Sequence, residues 1–241
     1  MTEYIIKAYR ILLDLIFPRR CPFCDKIVEQ GRSICPECER RIQPIAGAVC
    51  SKCGKPQEDE RKEYCYDCVR KKHEYHTGKA LYVYQDAVKE SLYRFKYANR
   101  REYAIFYGEQ AALTYAGFIK RCEAEAIIPI PLHKIRRRQR GYNQAELFAR
   151  ELGRITGIPV RTDILIRSVN TRPQKELDDA GRKKNLKKAF TIRENIVQLK
   201  KILLVDDIYT TGSTVDAAAA MLKQAGVREV YVLCVSIGRG F

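Results

Sequence analysis

Tryptophan is absent from the 241 residues and methionine occurs only twice. Packing must therefore come from Leu, Ile, Val, Tyr and Phe. A long uncharged apolar run is missing too. The most apolar stretch, residues 4–17 (YIIKAYRILLDLIF), is interrupted by Lys7, Arg10 and Asp14. It also falls short of the ~20 residues that a bilayer requires, so no stable membrane insertion is expected. No stretch reads as a secretory leader. No residue pair resembles a Ser-His or Cys-His nucleophile system. Acidic residues are in short supply: 29 Asp and Glu face 45 Lys and Arg, a net charge of +16. That balance points to polyanionic partners or substrates. With 46% apolar and 31% charged residues, the composition is that of a folded chain.

Cysteine is abundant. Eight of the ten cysteines form four C-x-x-C pairs: Cys21/Cys24, Cys35/Cys38, Cys50/Cys53 and Cys65/Cys68. A C-x-x-C turn points two sulfurs at one ion, and two such knuckles complete a tetrahedron. Disulfides fit poorly with a chain that shows no leader, and a thioredoxin-like motif would not recur four times. Structural zinc is expected, in one or two sites. Consecutive pairing gives Cys21, Cys24, Cys35 and Cys38 one ion and Cys50, Cys53, Cys65 and Cys68 another; interleaved pairing stays open. His73 and His76 follow closely enough to replace a ligand. Cys122 and Cys234 sit in apolar surroundings and read as core residues. The segment has few bulky apolar residues, so metal binding supplies much of its folding free energy. Ahead of it, residues 4–17 read as a helix with Ile5, Tyr9, Leu12 and Ile16 on one face, docked on the chain's own body or lying on a membrane surface.

From residue 79 the cysteine pattern stops and α/β alternation begins. Residues 1–78 are read as a zinc-ribbon domain behind the helix, and residues 79–241 as an α/β domain. Strands are expected at 80–84, 126–132, 164–168, 201–207 and 228–236, and helices at 86–97, 101–120, 141–156 and 214–225. Residues 169–188 read as a long polar loop. Strand, crossover helix and strand in alternation imply a mostly parallel sheet with helices on both faces.

The informative stretch is ILLVDDIYTTGST. Four apolar residues deliver Asp206 and Asp207 to the end of a central strand, and a Thr/Gly/Ser turn then opens a helix. In an open parallel sheet, ligands bind at that edge. Backbone N–H groups and hydroxyls from Thr210, Thr211, Gly212, Ser213 and Thr214 suit a phosphate monoester. Adjacent carboxylates suit a vicinal diol and orient a hydrated magnesium. Phosphate, diol and magnesium together describe a ribose 5-phosphate derivative. A Walker A loop is excluded, because no lysine follows Gly212.

VDDIYTTGST resembles the signature by which type I phosphoribosyltransferases bind 5-phosphoribosyl-1-pyrophosphate (PRPP). The wider pattern resembles the competence protein F (ComF/ComFC) family: cysteine pairs, then YVYQDAVKESLYRFKY, PLHKIRRRQRGYNQAELFAREL, RPQKELDDAGRKKN and the Asp-Asp signature. The resemblance implies a type I phosphoribosyltransferase-like α/β fold behind a double zinc ribbon. It implies a cytoplasmic role in natural transformation, handling incoming single-stranded DNA beside a helicase-like ATPase, with recruitment to the inner membrane face as an option. It assigns Asp206 and Asp207 to the ribose hydroxyls and magnesium, and Thr210 to Thr214 to the 5-phosphate. It also places Leu132 and His133 at the pyrophosphate turn and residues 171–185 in a mobile flap. Purine-salvage members carry an acidic residue where this chain has Thr210, which argues against 6-oxopurine transfer.

Basic residues concentrate in one stretch: residues 134–188 carry a net +10. Lys134, Arg136, Arg137, Arg138 and Arg140, with Tyr142 beside them, read as a surface for single-stranded DNA, the tyrosine free to stack a base. Arg182, Lys183 and Lys184 extend it, and Tyr93, Arg94, Lys96 and Tyr97 are candidates to lengthen the groove. The same cations also suit pyrophosphate. Three readings follow: a DNA-handling factor with a PRPP-binding domain, an active magnesium-dependent phosphoribosyltransferase, or a zinc-ribbon adaptor that senses PRPP.

Overall fold

The computed structural model describes residues 18–168, 189–193 and 198–239. The expected helix at 4–17 and loop at 169–188 lie outside them. Four strands form one parallel sheet in the order β1-β6-β5-β2: β1 (Gly78–Val83), β6 (Glu229–Ile237), β5 (Lys201–Tyr209) and β2 (Ala126–Pro129). The central pair carries unbroken apolar runs because both of its faces are covered. Alternate residues serve opposite faces. Leu203 and Val205 join Leu233 and Val235 in one core, while Ile202 and Leu204 join Val230, Val232 and Cys234 in the other. Each such side chain contributes about 1.5–3 kcal/mol relative to exposure.

The first core is roofed by α3 (Asp86–Tyr97), α4 (Tyr103–Thr114), α5 (Ala116–Cys122) and α7 (Gln144–Thr156). Gly108 lets α4 approach α7 closely, since a Cβ there would meet Glu151 Cβ at 2.6 Å. The helix expected over 101–120 is two helices. They part at Tyr115, whose hydroxyl donates to the Ala80 carbonyl oxygen at 2.6 Å and ties the break to β1. The second core is covered by α8 (Ser213–Gln224) and by a small antiparallel pair, β3 (Leu165–Arg167) and β4 (Phe190–Ile192). The strand expected at 164–168 thus exists but belongs to this antiparallel pair and not to the parallel sheet. Cys122 and Cys234 are both buried core residues.

The two ribbons repeat one geometry. Cys21 N donates to Lys26 O and Cys50 N to Lys55 O, each at 2.8 Å. After each first knuckle comes a left-handed residue, Asp25 (φ 60°) and Gly54 (φ 77°). Short helices α1 (Pro36–Arg41) and α2 (Tyr66–Arg70) carry the second knuckles. The first ribbon rides on the helical roof: Asp25 accepts from Arg100 at 2.7 Å and from Tyr103 at 2.6 Å, and Arg94 donates to Phe23 O at 2.6 Å. These donors hold the Asp25 carboxyl below the usual carboxylate range against the opposing effect of burial. The second ribbon shares the core of β5 and α8, with Cys50, Cys53, Cys65 and Tyr75 among its members. Among the described residues no helix is long and apolar enough to cross a membrane.

Candidate sugar-phosphate site and metal centres

Sulfurs of Cys21, Cys24, Cys35 and Cys38 lie within 4.8 Å of one another, as do those of Cys50, Cys53, Cys65 and Cys68. The Sγ–Sγ separations between knuckles, Cys24 to Cys35 and Cys53 to Cys65, are both 3.7 Å. A tetrahedron of thiolates about 2.3 Å from zinc has edges near that value. The chain therefore builds two consecutive four-cysteine zinc sites, and interleaving is excluded. Neither His73 nor His76 joins them: His73 faces Asp216, and His76 packs on Tyr231.

β5 runs two residues past the acid pair before it turns. Asp206 and Asp207 therefore lie within the last residues of the strand, half-buried, and not at its tip. Asp206 Oδ1 accepts from Asp207 N at 2.8 Å, and Asp207 Oδ2 pairs with Lys96 Nζ at 2.8 Å. Burial pushes the Asp206 carboxyl up to about 7, and the charge of Asp207 adds to the rise. Lys96 and Arg167 oppose it. The sequence suggests Lys96 as a groove residue; its place on α3, one residue before the helix ends, sends it to the carboxylate instead. Nothing local in the sequence signals that long-range pair.

The bend after β5 is shaped by Tyr209. Its hydroxyl meets that of Tyr75 at 2.8 Å in a buried pair. A Cβ at position 212 would run into the Tyr209 hydroxyl, and Gly212 has φ 72°. Both facts demand glycine. Thr210 and Thr211 are exposed, Thr211 Oγ1 lies 2.9 Å from Ser213 Oγ, and Ser213 and Thr214 begin α8. Asp216, in the first turn of α8, takes His73 Nδ1 at 3.0 Å, and its carboxyl is held below the usual range by His73 and Lys71 despite burial.

Register brings the next piece alongside. Pro129 of β2 pairs with Val205, and Ile130 N donates to Val205 O at 2.9 Å. The turn carrying Leu132 and His133 therefore leaves the sheet beside the acid pair. His133 caps α6 (Lys134–Arg140), its Nδ1 accepting from Ile135 N at 3.3 Å. The sequence gives no expectation of this helix. Gly141, expected to start the 141–156 helix, instead ends α6 with φ 78°, and Asn143 caps α7.

Lys134, Arg137 and Arg138 are exposed, and Arg136 and Arg140 half-buried. Arg137 pairs with Glu146 at 3.2 Å. Tyr142 corrects the expectation of a free ring. It is 6% exposed, its hydroxyl donates to Phe95 O at 2.6 Å, and Arg101 covers its face at 4.7 Å. Exposed aromatic rings stand one helix away. Tyr93 and Tyr97 are 63% and 59% exposed with centroids 5.0 Å apart, and the Arg140 guanidinium lies 4.9 Å from the Tyr97 ring. Arg182, Lys183 and Lys184 lie outside the described residues.

Comparison with known proteins agrees with this geometry. Residues 12–69 match the double zinc ribbon domain and residues 139–239 the phosphoribosyl transferase domain. Competence protein F of Haemophilus influenzae is 30% identical over 227 residues, covering 90% of this chain and 96% of that protein. The chain belongs to the competence protein F family. Other relatives are the competence protein ComFC of Bacillus subtilis, 29% identical over 83% of this chain and 82% of that one, and the DNA utilization protein YhgH of Escherichia coli K12, 28% identical over 92% and 98%. Among solved structures, an allosteric regulatory enzyme of purine biosynthesis aligns at TM-score 0.40 and 20% identity, over 59% of this chain and 29% of its own. The fold of this family member is a parallel phosphoribosyltransferase-like sheet with flanking helices, preceded by two ribbons of four cysteines each.

Proposed function

We propose that this competence protein F family member binds PRPP with magnesium and handles imported single-stranded DNA in natural transformation. The observation that carries the reading is one helix that serves two surfaces. On α3, Lys96 reaches Asp207 while Tyr93 and Tyr97 stand outward, Tyr97 against Arg140 of α6. A sugar-phosphate seat and a basic aromatic path thus adjoin. Asp206 and Asp207 accept from the two ribose hydroxyls and from metal-bound water, and Thr210 to Thr214 hold the 5-phosphate. The turn at Leu132 and His133 faces the pyrophosphate. Two adjacent half-buried carboxylates fit a hydrated divalent ion, which neutralises charge on pyrophosphate. Guanidinium groups of α6 take DNA phosphates, and the tyrosine pair stacks bases. The competence and DNA utilization names of the relatives support this direction. The site of action in this reading is the cytoplasm, beside a helicase-like ATPase, with recruitment to the inner membrane face as an option.

A second reading, phosphoribosyl transfer itself, draws on the same acid pair. Departure of pyrophosphate leaves a cationic sugar, which needs positioning and charge stabilisation and no protein nucleophile. Magnesium-dependent pyrophosphate release with a nucleobase, amine or nucleotide acceptor is its readout.

Binding of a fluorescent oligothymidylate across a salt series tests the DNA reading. Affinity should fall steeply, by about 0.7 log unit per log of salt for each phosphate contact. Replacing Lys134, Arg137 and Arg138 by alanine should flatten that slope by about 2. Tyr97→Ala should cost about 1–3 kcal/mol with little change in slope. No binding at low salt contradicts the reading.

A further inference from the structure

The second zinc ribbon ends on the bend that opens α8. Lys71 follows α2 directly. Its Nζ lies 2.7 Å from Asp216 Oδ2, 3.1 Å from the Thr211 carbonyl oxygen and 3.5 Å from Ser213 Oγ. The neighbouring residues grip the same place: His73 takes Asp216, Glu74 N donates to Asp216 Oδ1 at 3.1 Å, and Tyr75 meets Tyr209. The His73 side chain is 1% exposed, which anchors the segment. Lys52, between Cys50 and Cys53, donates to the carbonyl oxygens of Tyr75 and His76 at 2.5 and 2.9 Å, so the knuckle itself braces it.

The bend Thr210 to Thr214 offers hydroxyls and amides but holds no cation of its own sequence. A phosphate dianion is bound more strongly where a point charge stands among its donors. Lys71 is that charge: within reach of Ser213, on a half-exposed stem, supplied from the ribbon. We propose that Lys71 is a phosphate-binding residue of the sugar-phosphate seat, and that zinc in the Cys50, Cys53, Cys65 and Cys68 cluster raises the seat's affinity by holding Lys71 in place. The inference rests on the PRPP reading above and assigns that site a part borne by the metal module. Coupling between sites is reciprocal, so occupancy of the seat must also retain the zinc.

The test uses the full chain, with ribose 5-phosphate and inorganic pyrophosphate as separate probes in magnesium buffer. Lys71→Ala should weaken ribose 5-phosphate binding about 10- to 100-fold. It should leave pyrophosphate affinity within about twofold and zinc content unchanged, and Lys71→Arg should restore most of the loss. In the wild type, ribose 5-phosphate should slow chelator removal of zinc from the second cluster and not from the first, read cluster by cluster through cysteine labelling and mass spectrometry. That protection should vanish in Lys71→Ala. Equal ribose 5-phosphate affinity in wild type and Lys71→Ala overturns this inference and leaves the PRPP reading standing. Equal weakening of both probes, or loss of zinc from Lys71→Ala, also overturns it, because either marks a structural role. A wild type that ignores ribose 5-phosphate and PRPP overturns both.

Discussion

Replacing Asp206 and Asp207 together by asparagine is expected to abolish measurable PRPP binding while oligonucleotide affinity stays within about twofold. Each carboxylate accepts a hydrogen bond that an amide oxygen makes without charge, and such charge-assisted bonds contribute roughly 1.5–3 kcal/mol. Losing two weakens binding by about 10²- to 10⁴-fold. The single change Asp206→Asn should also stabilise the ligand-free protein at pH 8. Burial and the charge of Asp207 raise the folded-state pKa of Asp206 to about 7, above the usual 3.8. The folded state therefore holds a proton that the unfolded state releases, and stability falls as pH rises from about 4 to about 7. Asparagine removes that loss. The gain in melting temperature should be largest at pH 8, smaller at pH 5 and absent below about pH 4, and calorimetry across that range reads it. A gain that is equal at pH 8 and below about pH 4, or a loss at pH 8, would show that the acid pair is not strained in the way described.

Loss of zinc is expected to have the next largest effect, and to differ between the ribbons. Structural zinc supplies about 10–16 kcal/mol to small zinc modules. Cys38→Ser and Cys53→Ser should each lower the metal content from two zinc ions per chain to one, measured by native mass spectrometry. Cys38 belongs to the ribbon that packs on the helical roof, together with Phe23, Val28 and Ile34. Its loss should expose residues 18–42 to protease and leave the sheet folded. Cys53 belongs to the core that includes Tyr75, β5 and α8. Its loss should loosen the bend at Gly212 and lower the melting temperature more. The opposite ranking would mean that the second ribbon is not built into the sheet's core.

The cysteine spacing and the strand that carries the two aspartates are legible in the sequence because both rest on local chemistry. A C-x-x-C turn carries its ligand geometry within four residues, and Ile202 to Val205 announce a strand covered on both faces. Gly212 is legible as a turn, although its neighbour Tyr209 adds a steric demand that no local pattern holds. Other features escape because they are long-range. Lys96 reaches Asp207 across 111 positions, and Lys71 reaches Ser213 across 142. In the sequence Lys71 carries no signal, and Lys96 reads only as a candidate groove residue. Tyr142 misleads for the same reason: its polar, arginine-rich setting conceals the carbonyl oxygen of Phe95 that its hydroxyl seeks. Breaks within helical runs are hidden where a side chain ends the helix from outside, as Tyr115 does against Ala80. α6 is hidden because seven residues with five basic side chains show no apolar period.

Calorimetric titration of PRPP into the wild-type protein, with and without magnesium, bears most directly on the central claim. One binding site per chain is expected, requiring magnesium and competed by ribose 5-phosphate. Release of about half a proton at pH 7, rising as the pH is lowered below it, should accompany it, as Asp206 gives up its proton to hold the sugar. Heats indistinguishable from dilution, or binding that persists unchanged in the protein carrying Asp206→Asn and Asp207→Asn, would contradict it.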